Sequence, residues 1–219
     1  MKIPFTSEQF LENFRNYNHS VFPVQILFYV MALAIILLAV KRKSYTDKLI
    51  SAFLMGFWLW MGVVYHYVFF SAINKAAYVF GSLFILQAIL FFYFGILKSR
   101  LSFRFSSTIN GITGSMLMLF ALVVYPVAGF IQGHAYPSSP TFGLPCPTTI
   151  FTFGILLWSS VKIPIALLII PLVWSFIGFS ASFTLGIFED AGLPVASIAA
   201  TSLLMIHNRK IKTDTSKIK

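Results

Sequence analysis

Charge is scarce in this sequence. Asp, Glu, Lys and Arg make up 10% of its 219 residues, against about 25% in soluble globular domains. That shortage excludes a water-facing surface around the whole fold, so the solvent for most of the chain must be lipid. Acidic residues are scarcest: there are 6 against 16 basic ones, for a net charge of +10. In a soluble protein such a balance suggests nucleic acid. Here the basic residues fall in short loops between apolar runs, and no aromatic-rich nucleic-acid motif accompanies them, so no nucleic-acid partner is expected. A single cysteine, Cys146, excludes an intramolecular disulfide and any Cys-x-x-Cys pair. The first twenty residues hold Glu8, Glu12 and Arg15 and no apolar core, and do not read as a cleavable signal peptide. No Gly-rich phosphate loop, Gly-x-Ser-x-Gly elbow or dinucleotide fingerprint occurs. The last apolar run has no lysine, which excludes a retinal Schiff base in its usual place.

What abounds is apolar: 58% of the residues are hydrophobic and the mean hydropathy is +0.85. A helix needs about 20 apolar residues to cross a hydrocarbon core of about 30 Å. Residues 21–40, 49–70, 77–97, 108–131 and 163–185 meet that length, and 147–161 and 193–206 are shorter runs between polar flanks. Alternate loops hold thirteen basic residues: Lys41, Arg42, Lys43 and Lys48; Lys98, Arg100 and Arg104; Lys162; then Arg209, Lys210, Lys212, Lys217 and Lys219. The other side holds three, Lys2, Arg15 and Lys75. The positive-inside rule puts the thirteen in the cytoplasm. The expected fold is all-α: a polytopic, seven-transmembrane-helix bundle with its amino terminus outside and its carboxyl terminus cytoplasmic. Residues 1–20 form an outer interfacial amphipathic helix, opened by Thr6 and Gln9 at capping-box spacing. Residues 21–206 form one membrane domain, and residues 207–219 a basic cytoplasmic tail.

Small residues suggest packing: Gly111 with Gly114, and the row Gly178, Ser182 and Gly186. Pro126 and Pro171 are expected to bend their helices or free a carbonyl, and Gln87 to bond across helices.

On this topology His66, His134, Cys146, Glu189 and Asp190 all fall on the outer side. Spans five and seven read as short there, which predicts a vestibule floored by their amino-terminal ends, with Trp60 and Tyr65 among its lining. Pro147 suits a first helical position, which places Cys146 at an N-cap, where the helix dipole favours its thiolate. His66, His134, Cys146 and Asp190 together offer a ligand set for zinc or copper. No His-x-x-x-His or Glu-x-x-His spacing accompanies them. The leading expectation is capture or translocation of a small solute or metal ion from outside. The alternatives are a metal-assisted hydrolase of lipid or peptide, with Glu189 or Asp190 as general base, and a non-catalytic scaffold.

The stretches FWLWMGVVYHYVFF (57–70) and GHAYPSSPTFGLPCPTTIFTFG (133–154), with the opening IPFTSEQFLENFRNYN (3–18), resemble signature segments of a bacterial family of multi-pass membrane proteins of unknown function. The resemblance covers most of the chain and implies a bacterial cytoplasmic membrane, but no activity. A likeness to zinc-dependent, ceramidase-like membrane hydrolases fails at the residues that matter. Gly62 stands where their serine would precede His66 by four, and the later histidine pair is lacking.

Overall fold

The structure, a computed structural model, describes residues 4–217. Lys2 and Lys219 of the charge count, and the first residue of the opening segment, lie outside the described residues. The described chain is helical, with isolated bridges but no strand.

Helix α1 (Ser7–Val21) opens as its sequence predicts. The Thr6 hydroxyl accepts from Gln9 N at 3.2 Å, and Gln9 Oε1 accepts from Thr6 N at 2.9 Å. It buries Phe14, Tyr17 and Val21. Next come α2 (Val24–Lys41), α3 (Thr46–Ala72), α4 (Ala77–Leu97), α5 (Ile109–Ile131), α6 (Pro145–Leu157) and α7 (Ala166–Leu185). A 3-10 turn at Phe188–Ala191 leads into α8 (Gly192–Lys217).

Five helical stretches among the described residues are long and apolar enough to cross a membrane: α2, α3, α4, α5 and Phe188–Ile211. The seven-span expectation is therefore met by length at five helices. The run at 193–206 is not short, because nothing between Asn208 and Lys217 is a glycine or proline, and the helix continues past the end of the apolar stretch. Helix α6 is short, at 13 residues, or about 20 Å, and every one of its residues except Cys146 is buried. It packs chiefly between α5 and α8, with α7 also against it.

Glycine pairs set the closest approaches. A Cβ on Gly81 would meet the Gly62 carbonyl oxygen at 2.8 Å, and one on Gly62 would meet Gly81 O at 2.9 Å, where α3 crosses α4. Gly114 and Gly154 do the same between α5 and α6, at 2.5 and 2.8 Å. Gly178 also packs, against Leu193 and Cys146. Gly186 does not: it ends α7 at φ +76 with open space around it, the left-handed stop that glycine makes without strain. Ahead of Pro126, α5 widens to π-helical turns at Phe120–Val124, because proline has no N–H to continue the α ladder. Polar side chains join the helices. Trp58 Nε1 donates to Thr152 Oγ1 (3.1 Å), Trp158 Nε1 to Gly111 O (2.9 Å) and Gln87 Nε2 to Leu167 O (3.1 Å).

The two ends of the bundle are folded differently. At one, Arg42 donates to Ser102 Oγ (2.9 Å), Ser160 N to Ser102 O (2.9 Å) and Arg104 N to Trp158 O (2.7 Å). Asn208 there bonds both the N–H and the carbonyl of Ile163, at 2.9 and 2.8 Å. At the other end α1 is fastened to the α5–α6 loop, with Asn18 Nδ2 donating to Pro137 O (2.6 Å) and Ser139 O (2.8 Å).

Candidate functional site

Under α1 lies a cavity of about 460 Å³, within the size range of small-molecule sites. Its floor comes from two chain reversals. The first is the start of α6, Pro145-Cys146-Pro147. The N-cap there is Leu144, so Cys146 is the second helical residue and not the cap. The expected dipole activation of its thiolate also meets an opposing neighbour, the Asp190 carboxyl, which lines the same cavity. The second reversal follows Gly186, where Ile187 N returns to Ser182 O (3.1 Å) and Asp190 N to Ile187 O (3.2 Å). This tight turn buries two adjacent carboxyls and sends them to different partners. Asp190 accepts the Tyr125 hydroxyl in a short hydrogen bond across the floor. Glu189 Oε1 lies 3.1 Å from His134 Nδ1, outside the cavity lining.

The walls are mostly aromatic and aliphatic: Tyr65, Phe70, Phe80, Leu144 and Ile177. The roof is Phe5, Phe10 and Phe14, whose rings stack in sequence and reach Phe70. Trp174 closes one side. Its indole nitrogen is buried without an oxygen or nitrogen partner, and lies near the Cys146 sulfur beside Gly178. Exposed Ala76, Ser180 and Thr184 mark the rim, between the start of α4 and the end of α7.

The residues singled out in the sequence therefore divide. Tyr65, Cys146 and Asp190 line the cavity together. His66, fully buried, lies behind the wall amid Tyr65, Phe70, Phe80, Phe84 and Trp174, with ring centroids 4.6–6.0 Å away and neither ring nitrogen hydrogen-bonded. Trp60 turns from the cavity and donates to Tyr17 Oη at 2.9 Å, anchoring α1. Burial raises the Tyr17 phenol's pKa above the usual tyrosine range, and that bond opposes the rise. His134 and Glu189 are paired with each other. Among the described residues no three His, Cys, Asp or Glu side chains gather as a metal site would require. The zinc or copper set His66, His134, Cys146 and Asp190 is thus split three ways, and only its last two members line the cavity together.

The match to known proteins settles where such a chain belongs. It is a member of the family of unknown function DUF6064, which matches residues 7–215. No curated protein and no solved structure matches it. The resemblance to an uncharacterised family holds at the level of membership, and DUF6064 brings no activity with it.

Three parts of this DUF6064 cavity were not singled out in the sequence: Tyr125, Trp174 and the phenylalanines of the roof. Tyr125 precedes Pro126, and Trp174 lies between Pro171 and Gly178, so both had a local signal. Phe10 and Phe14 were legible only as an anchoring face.

Proposed function

We propose that the chain is a seven-span membrane protein, amino terminus outside and carboxyl terminus cytoplasmic, that takes up a small organic cation into the cavity under α1 from the outer side. The span count is supported by the way successive helices return to alternate ends. Loops carrying Arg42, Arg104 and Lys162 are tied together at one end, while α1 and the α5–α6 loop are tied at the other. The orientation is supported by the thirteen-to-three division of basic residues between those ends.

The cation reading rests on one observation: among the described residues, Asp190 is the only Asp, Glu, Lys, Arg or His side chain lining the cavity. A buried carboxylate without a cationic partner favours a ligand that supplies the charge. Aromatic faces around it favour the same ligand, through attraction between a cation and the ring quadrupole. The apolar volume suits a protonated amine or quaternary ammonium with a hydrocarbon body, and a bare metal ion would lack donors. The rim between α4 and α7 supplies the entrance.

The test is binding to purified protein of a hydrophobic quaternary ammonium, its uncharged isostere and its carboxylate counterpart. The expected order is cation first, with Asp190→Asn weakening the cation alone by about tenfold or more, a loss of about 1.4 kcal/mol. Equal binding of cation and isostere, or an unchanged affinity in Asp190→Asn, overturns the reading.

A further inference from the structure

The opposite end of the bundle carries a second cavity, of about 480 Å³, between α4, the α6–α7 connection and α8. Arg100, Lys162 and Arg209 surround it, and all three are exposed. Below them Phe94, Ile163, Pro164, Ile165 and Met205 make an apolar shelf, on which Ile165 is 63% and Met205 45% exposed.

This arrangement is built and not incidental. Ser99, at φ +48, turns the chain sharply after α4, and Arg100 N closes that turn on Phe94 O at 2.8 Å. The double hydrogen bond of Asn208 to Ile163 fixes α8 against the connection, setting Arg209 beside Lys162. Among the described residues no acidic residue lines the cavity, and neither Arg100 nor Lys162 has a carboxylate partner. Asp47, in the first turn of α3 at this end, is engaged by Arg42 at 3.5 Å and by Phe103 N at 2.8 Å.

Three cations over an apolar shelf match one ligand in charge and in polarity. We infer that this groove holds an anionic phospholipid, its phosphate among Arg100, Lys162 and Arg209 and an acyl chain along Ile165 and Met205. Basic pockets between membrane helices at the cytoplasmic face recognise headgroups in this way. Guanidinium groups add bidentate geometry toward phosphate oxygens. The inference does not depend on what the cavity under α1 binds.

The full chain is reconstituted in phosphatidylcholine nanodiscs containing a minority of phosphatidylglycerol, and the lipids it retains on extraction are counted by native mass spectrometry. Wild type is expected to retain phosphatidylglycerol preferentially. The triple variant Arg100→Gln, Lys162→Gln, Arg209→Gln loses that preference, with affinity falling on the order of 100-fold. Lys41→Gln, Lys43→Gln, Lys48→Gln removes the same charge from the same end and keeps it. The single variant Lys162→Gln, at an exposed site, falls about fivefold. No preference in wild type, or equal losses in the two triple variants, overturns the inference. In detergent, inorganic phosphate raising the melting temperature as much as short-chain phosphatidylglycerol would assign the groove to a free anion and overturn it too.

Discussion

Tyr125 donates its hydroxyl to the carboxyl of Asp190, 65 positions further along the chain, and so joins α5, just past its π-helical turns, to the turn that leads into α8. A buried carboxyl that loses its donor bears the desolvation cost itself. Tyr125→Phe is therefore expected to destabilise the protein by about 1–3 kcal/mol. A lowered melting temperature in detergent, partly restored by the added Asp190→Asn, is the measurement that checks it.

Adjacent carboxyls with different partners should behave differently. Asp190→Asn removes the charge that faces the cavity, whereas Glu189→Gln weakens only the contact with His134. The first variant is expected to lose cation binding while the second keeps it within about twofold, below 0.5 kcal/mol. Parallel titrations of one quaternary ammonium ligand separate them, and a matched loss in both would remove Asp190 from its special place.

The glycine crossings carry a stability prediction. A methyl on Gly81 would overlap the Tyr67 ring at 2.3 Å and the Gly62 carbonyl at 2.8 Å, while one on Gly56 meets nothing within 4 Å. Gly81→Ala should cost about 1–3 kcal/mol or more, as overpacking does. Gly56→Ala should gain up to about 1 kcal/mol from helix propensity. Thermal unfolding of the two variants beside wild type decides it.

Docking of α1 should depend on alkaline pH. Burial raises the Tyr17 phenol above its usual value, so docked α1 holds that proton more tightly than undocked α1 does. The stabilisation is complete below about pH 10, the free tyrosine pKa, and declines as pH rises beyond it. An environment-sensitive fluorophore on Glu8→Cys, in a Cys146→Ser background, reports the undocking. Tyr17→Phe should abolish the pH dependence, although it also gives up the bond from Trp60.

The membrane class, the helical fold and the α1 cap were legible because each rests on local signals: long apolar runs, few charges, and Thr6 three residues before Gln9. The cavity floor at the starts of α6 and α8 was legible in outline, since short runs with proline or acidic flanks marked both places. Its membership was not. Glu189 and Asp190 are neighbours in sequence, and only the turn after Gly186 decides that one faces His134 and the other Tyr125. His66 and Cys146 share an end of the bundle, yet Trp174, from a distant helix, stands against both. Gly186 was read as packing because a spacing of four cannot distinguish a helix contact from a helix stop. The run at 193–206 looked short because hydropathy records where lipid contact ends, whereas a helix ends only where its backbone is interrupted.

The burial of α6 also constrains how the molecule is made. Thirteen residues cannot bridge a bilayer unaided, and a segment with Thr148, Thr149 and Thr152 on its surface gains little from lipid. As the chain leaves the ribosome, α2 to α5 can each settle in the membrane on their own hydrophobicity. Helix α6 packs chiefly against α5 before it and α8 after it, so its insertion is an assembly event, and a lesion at the Gly114–Gly154 crossing would surface as an α6 stranded outside the bilayer.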